Sequence, residues 1–121
     1  MTALHVEVSG SGPDLVLLHG WGMHGAVWRE VATALSRSYR VHVADLPGYG
    51  LSPSCHPYTL DALVEKLAAA FPPRICLCGW SLGGQLAAAW ALRFPSQIER
   101  LALVAATPRF TNGEGWEFGI G

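Results

Sequence analysis

Apolar and polar positions along this chain follow two periods, and the period switches at regular intervals. Residues 4–8 alternate in period two before the turn Gly10-Ser11-Gly12-Pro13, which predicts a strand. Leu15-Val16-Leu17-Leu18 is unbroken apolar, the pattern of a strand buried on both faces, and His19-Gly20-Trp21-Gly22 ends it. Residues 26–35 then read as a helix with Val27, Val31, Ala34 and Leu35 on one stripe. Residues 39–44 form the next predicted strand, ending at Asp45 and the turn cluster Pro47-Gly48-Tyr49-Gly50. Thr59 is placed to cap a helix reaching about Ala70, with Leu60, Leu63, Val64 and Leu67 apolar, and Pro72-Pro73 stops it. A strand over 75–79, a helix over 82–94 and a strand over 98–106 complete the pattern, while 107–121 lacks periodicity. Strands separated by helices predict an α/β fold, a mostly parallel sheet with helices on both faces.

Composition narrows the function classes. Half of the 121 residues are hydrophobic and only 14% are charged, against about 25% in an average domain. That balance, with 10% aromatics, excludes a disordered chain. Eight Lys and Arg against nine Asp and Glu leave net −1 and no basic stripe, so no nucleic-acid partner is expected. Met1 to Glu7 lacks the basic and apolar regions of a signal peptide. The richest apolar window, 82–94, is broken by Gln85 and Arg93, so no membrane span is expected either. Cys76 and Cys78 alternate onto one face of a strand, a poor disulfide geometry, and no second Cys or His pair accompanies them as metal ligands. They read as small core side chains, and a cytoplasmic location is the expectation.

The chemistry concentrates in Gly79-Trp80-Ser81-Leu82-Gly83-Gly84, lodged between a predicted strand and a predicted helix. G-x-S-x-G in that context is a nucleophile elbow, a turn so tight that only small residues fit two positions either side of the serine. Neither phosphate-loop pattern falls on this turn, and a glycine-rich turn with an incidental serine leaves the context unexplained. A serine nucleophile needs two backbone N–H groups for the oxyanion. One is assigned to Leu82, directly after Ser81, and the other to Trp21 in the loop where Gly20 and Gly22 permit a tight turn. His19 reads as ordering that loop rather than as the base, because it precedes the donor. Asp45 reads as turn chemistry bonding loop N–H groups, and His5, His24, His42 and His56 as structural or solvent-facing.

On these residues the chain resembles the α/β-hydrolase superfamily. His19-Gly20-Trp21-Gly22, Asp45-x-Pro47-Gly48-x-Gly50-x-Ser52 and Gly79-x-Ser81-x-Gly83-Gly84 carry the likeness. Within it, Leu17 to Met23, Val27-Trp28, Ala105-Ala106-Thr107-Pro108-Arg109-Phe110 and Trp116 are most similar to the pimeloyl-[acyl-carrier protein] methyl ester esterases of biotin synthesis. The resemblance implies Ser81 as nucleophile, with Trp21 and Leu82 lining the oxyanion and substrate site. It also implies an acyl carrier protein bearing a pimeloyl methyl ester as partner, methanol as leaving product, and no metal or organic cofactor. A general esterase or C–C hydrolase of other substrate, or a non-catalytic binding module on the same scaffold, are the competing readings.

The superfamily orders its triad Ser, acid, His. No histidine follows Ser81, the last being His56, and the only later acids are Glu99, Glu114 and Glu117. The expectation is therefore the N-terminal part of one domain of about 200–250 residues. Residues 1–106 would be core and 107–121 the start of the lid region, with the last strands beyond. Without the base, which is worth on the order of 10⁶ in kcat in a comparable triad, the isolated chain is expected to be inactive. It is also expected to be poorly soluble, since 101–106 would form an uncovered apolar edge.

Overall fold

A computed structural model describes residues 4–20, 22–52 and 59–105. Among the described residues there are five strands, the last four separated by helices: β1 (Val6–Ser9), β2 (Asp14–Leu18), a 3-10 turn (Gly25–Trp28) running into α1 (Arg29–Leu35), β3 (Arg40–Ala44), α2 (Leu60–Ala70), β4 (Ile75–Trp80), α3 (Leu82–Arg93) and β5 (Ile98–Val104). The strands form one sheet in the order β1-β3-β2-β4-β5. β2, β3, β4 and β5 run parallel, while β1 joins β3 antiparallel, with Val6 opposite Ala44. The architecture is the mostly parallel α/β sheet that the alternation predicts.

Period two in the central strands supplies both cores. Val16 and Leu18 of β2, with Ile75 and Leu77 of β4, pack beneath α2 and α3 against Leu63, Val64, Leu67, Leu86, Ala87 and Trp90. Leu15, Leu17, Val41 and Val43 face the other way, onto Trp28 and Ala32. Gln97, between α3 and β5, closes the far end of the first core. Its Oε1 accepts the Trp90 Nε1–H at 2.8 Å, and its Nε2 donates to the Ala68 and Pro72 carbonyls at 3.0 and 2.9 Å. Thr59 caps α2 as expected, its Oγ1 accepting the Ala62 N–H at 3.2 Å.

Two apolar stripes are corrected. The expected helix over 26–35 begins as a tighter 3-10 turn, so its inward face shifts by one residue. Trp28 and Ala32 are buried, whereas Val27 and Val31 are 44% and 42% exposed. In α2, Leu60 is exposed in the first turn while Leu63, Val64 and Leu67 are buried. Cys76 and Cys78 are half-buried free thiols, and burial pushes both above the ordinary thiol range. Among the described residues no helix is long and apolar enough to cross a membrane.

The register places the site. Leu18 pairs with Ala44 on one side and with Gly79 on the other, and Trp80 pairs with Val104. The carboxyl ends of β2, β3, β4 and β5 therefore finish at one edge of the sheet, where ligands bind in open α/β folds.

Candidate active site

Between β4, which ends at Trp80, and α3, which begins at Leu82, a single residue makes the turn. That residue is Ser81, with φ 55° and ψ −113°, a left-handed conformation that non-glycine residues seldom adopt. Its N–H donates to the Val104 carbonyl at 3.0 Å, and its own carbonyl accepts the Gly84 and Gln85 N–H groups at 2.9 and 3.2 Å. The strand ladder and the first helical turn thus hold the strained residue from both sides. The flanking glycines are small for a steric reason. A Cβ on Gly79 would fall on the Gly83 carbonyl, and one on Gly83 would fall on the Leu18 and His19 carbonyls. Leu82 opens α3, so its N–H is a first-turn donor without a partner inside the helix.

The loop leaving β2 forms the second wall. A Cβ on Gly20 would stand 3.3 Å from the Ser81 Cβ and 3.3 Å from the Trp80 ring, so the loop backbone lies directly against the nucleophile's turn. His19 is fully buried, accepts the Leu46 N–H at Nε2 (2.9 Å) and meets the Gly20 carbonyl at Nδ1 (2.8 Å). Because Nε2 accepts, the proton sits on Nδ1 and is donated to Gly20. Burial pushes His19 below its ordinary 6.5, against the opposing pull of the Gly20 carbonyl and of Asp45. It is a neutral loop-ordering imidazole and does not reach Ser81.

Asp45 is likewise buried, and both of its carboxylate oxygens are hydrogen-bonded. Oδ1 accepts the Gly25 N–H at 2.6 Å and Oδ2 the Leu51 N–H at 2.9 Å. Its carbonyl accepts from Ser52 Oγ at 2.5 Å, and that hydroxyl accepts the His5 N–H at 2.9 Å.

Of the residues singled out from sequence, Ser81 and Leu82 stand side by side at the elbow, while Trp21 lies outside the described residues. His56, Glu114, Glu117 and Trp116 also lie outside them. The other histidines are occupied elsewhere. His42 bonds Asp14 at 2.8 Å beside Phe71, His24 accepts the Ala26 N–H at 3.3 Å, and His5 faces Glu7 at 3.8 Å. Glu99 sits at the start of β5, the end away from Ser81, and pairs with Arg74 at 3.4 Å. Among the described residues no His, Cys, Asp or Glu group is arranged to hold a metal ion. A concavity of about 650 Å³ between Glu65, Phe71 and Arg93 lies at the far end of α3 from Ser81. An apolar hollow of about 270 Å³ lies between Val27, Trp28, Val31, Trp80 and Val104, the last two flanking the turn of Ser81.

Comparison with known proteins agrees with this geometry. A family profile described as the alpha/beta hydrolase fold matches residues 13–120. A pimeloyl-[acyl-carrier protein] methyl ester esterase of Nitrosomonas europaea is 47% identical over 120 residues, covering 99% of this chain and 48% of that protein. One so named from Chromobacterium violaceum is 50% identical over 113 residues, covering 93% of this chain and 44% of its own length. Among solved structures, an esterase from Exiguobacterium antarcticum superposes with a TM-score of 0.87 at 28% identity, covering 98% of this chain and 47% of that one. The chain spans about half the length of the curated relatives it matches.

Proposed function

The chain belongs to the alpha/beta hydrolase fold family, and from that premise we propose that it carries the nucleophile of a pimeloyl-[acyl-carrier protein] methyl ester esterase. The observation behind this reading is Ser81 at φ 55° on a one-residue elbow, with the Gly20 loop against its Cβ. The names of relatives at 43–50% identity supply the substrate, and an acyl carrier protein is then the partner.

In this reaction Ser81 Oγ attacks the methyl ester carbonyl. The oxyanion is received by the N–H of Leu82 and the N–H assigned to Trp21. Methoxide departs and takes a proton to leave as methanol, and water then hydrolyses the acyl-enzyme to free the carboxylate. The proton from Ser81 needs a base. No hydrogen bond joins a described histidine to Ser81, so this reading takes the base and its orienting acid from outside the described residues. A cytoplasmic location completes the reading.

The test uses the gene at its full length. The protein is expected to restore growth of a biotin-requiring strain lacking the esterase and to be labelled by a fluorophosphonate, both lost in Ser81→Ala. Labelling and ester hydrolysis without growth rescue would replace the substrate with another ester. Absence of labelling would leave a binding module on a hydrolase scaffold.

A further inference from the structure

We propose that Asp45 is a positioning residue for the reaction at Ser81, one that fixes the loop from β2 to the 3-10 turn together with the backbone of Leu46. The proposal rests on reading that loop as the oxyanion wall. Both ends of the loop are tied to these two consecutive residues at the exit of β3. At the start, the Leu46 N–H is received by His19 Nε2 at 2.9 Å, and the same ring holds the Gly20 carbonyl through Nδ1 at 2.8 Å. At the finish, Asp45 Oδ1 receives the Gly25 N–H at 2.6 Å, a short charge-assisted bond between buried groups. Beneath the loop, the Trp80 ring and the Ser81 Cβ prevent Gly20 from sinking. The two ties prevent it from lifting. The loop backbone at Gly20 is therefore held from both ends against the turn of Ser81, the preorganisation that an oxyanion donor supplied by this loop requires.

The role proposed for Asp45 is distinct from that of the acid of the triad. Both carboxylate oxygens accept backbone N–H groups, from Gly25 and from Leu51, and among the described residues no histidine hydrogen-bonds either oxygen. The engagement of both oxygens defines the test. In Asp45→Asn a single acceptor oxygen is left for two N–H groups and the charge that shortens the Gly25 bond is gone, so the far tie weakens in either orientation of the amide with hardly any change in volume. In Gly25→Ala a Cβ would come within 2.8 Å of Val43 Cγ1 and 3.0 Å of Asp45 Oδ1, so the far tie is pushed apart while the carboxylate stays.

The protein expressed at the full length of its gene is assayed with a short-chain methyl ester and with an alkylboronic acid, which mimics the tetrahedral intermediate on serine. Rates are normalised to fluorophosphonate-titrated Ser81, which removes any misfolded fraction. Asp45→Asn is expected to lower kcat by about 10- to 100-fold and to weaken the boronate by a similar factor, with KM within about two-fold of the parent. Gly25→Ala is expected to show the same split, smaller in size. Asp61→Asn, on the outer face of α2, leaves all three unchanged. Parent-like kcat and boronate affinity in a folded Asp45→Asn overturn the proposal, and so does a parallel loss in kcat and KM with boronate binding intact. If Asp45→Asn does not fold, the same readings on Gly25→Ala decide. Hydrolysis that survives Ser81→Ala instead overturns the reading on which the proposal stands.

Discussion

Gly79 and Gly83 lie so close across the β4–α3 turn that a Cβ on the first would fall on the carbonyl of the second. The obstruction is backbone, which has no alternative rotamer, so the turn itself must open to admit a methyl group. Gly79→Ala is expected to cost on the order of 1–3 kcal/mol and to slow fluorophosphonate labelling of Ser81. Thermal unfolding and labelling kinetics check both effects. A variant as stable and as reactive as the parent would contradict the steric account of the elbow.

Ser81 itself is strained, and the strain and the chemistry are separable. At φ 55° a glycine is at ease where serine is not, and left-handed strain of this kind is worth about 1–3 kcal/mol. Glycine gives back some of that gain through the entropy of the unfolded chain. Ser81→Gly is therefore expected to raise the unfolding midpoint by a few degrees, about 1 kcal/mol, while abolishing labelling and ester hydrolysis. A lower midpoint would mean that the serine side chain stabilises its own turn.

The neutrality of His19 predicts a pH dependence of stability. Its folded value lies below the 6.5 of the unfolded chain, so between the two the unfolded state holds more protons. Its contribution is complete above about pH 6.5 and is lost as pH falls toward the folded value, because a protonated Nε2 can no longer accept the Leu46 N–H. His19→Gln is expected to flatten the midpoint-against-pH curve on the acid side of about pH 6.5, relative to the parent. Parallel curves would show that His19 titrates alike in both states.

Gln97 serves the far end of the molecule. Its removal leaves the Trp90 Nε1–H and the Ala68 and Pro72 carbonyls without their shared partner. Gln97→Ala is expected to cost about 2–3 kcal/mol and to leave the labelling rate per folded molecule unchanged, measured by denaturant unfolding and active-site titration. A loss below about 0.5 kcal/mol would mean that water replaces the amide without penalty.

Trp28 gives the opposite case. Its buried Nε1–H has no hydrogen-bond partner among the described residues. Trp28→Phe removes the unpaired donor along with some contact area. It is expected to change stability by less than about 1 kcal/mol, where a well-bonded buried Trp would lose more.

Local signals carried most of the fold. Thr59 three residues before Ala62, the unbroken run ending at Leu18, and Gly79-x-Ser81-x-Gly83 each place an element through neighbours in sequence. The stripe over Val27 and Val31 misled, because period 3.6 does not hold where the chain winds as a 3-10 turn, and the inward side moved to Trp28 and Ala32. The ties of the site were legible only as residue types. That His19 should order its loop follows from its place in the sequence. That it does so through Leu46, 27 positions away, follows only from the β2–β3 pairing of Leu18 with Ala44. The pairing of Asp45 with Gly25 depends on the same register. Nothing local in the sequence links those positions.

Among the described residues β5 is the outermost strand on its side of the sheet, and its last carbonyl, that of Val104, receives the N–H of Ser81. Ser81 is therefore held through two neighbouring strands at once, by its covalent place after β4 and by one hydrogen bond from the end of β5. A displacement of that strand end reaches the nucleophile through a single bond, so whatever stiffens β5 also stiffens the reacting centre.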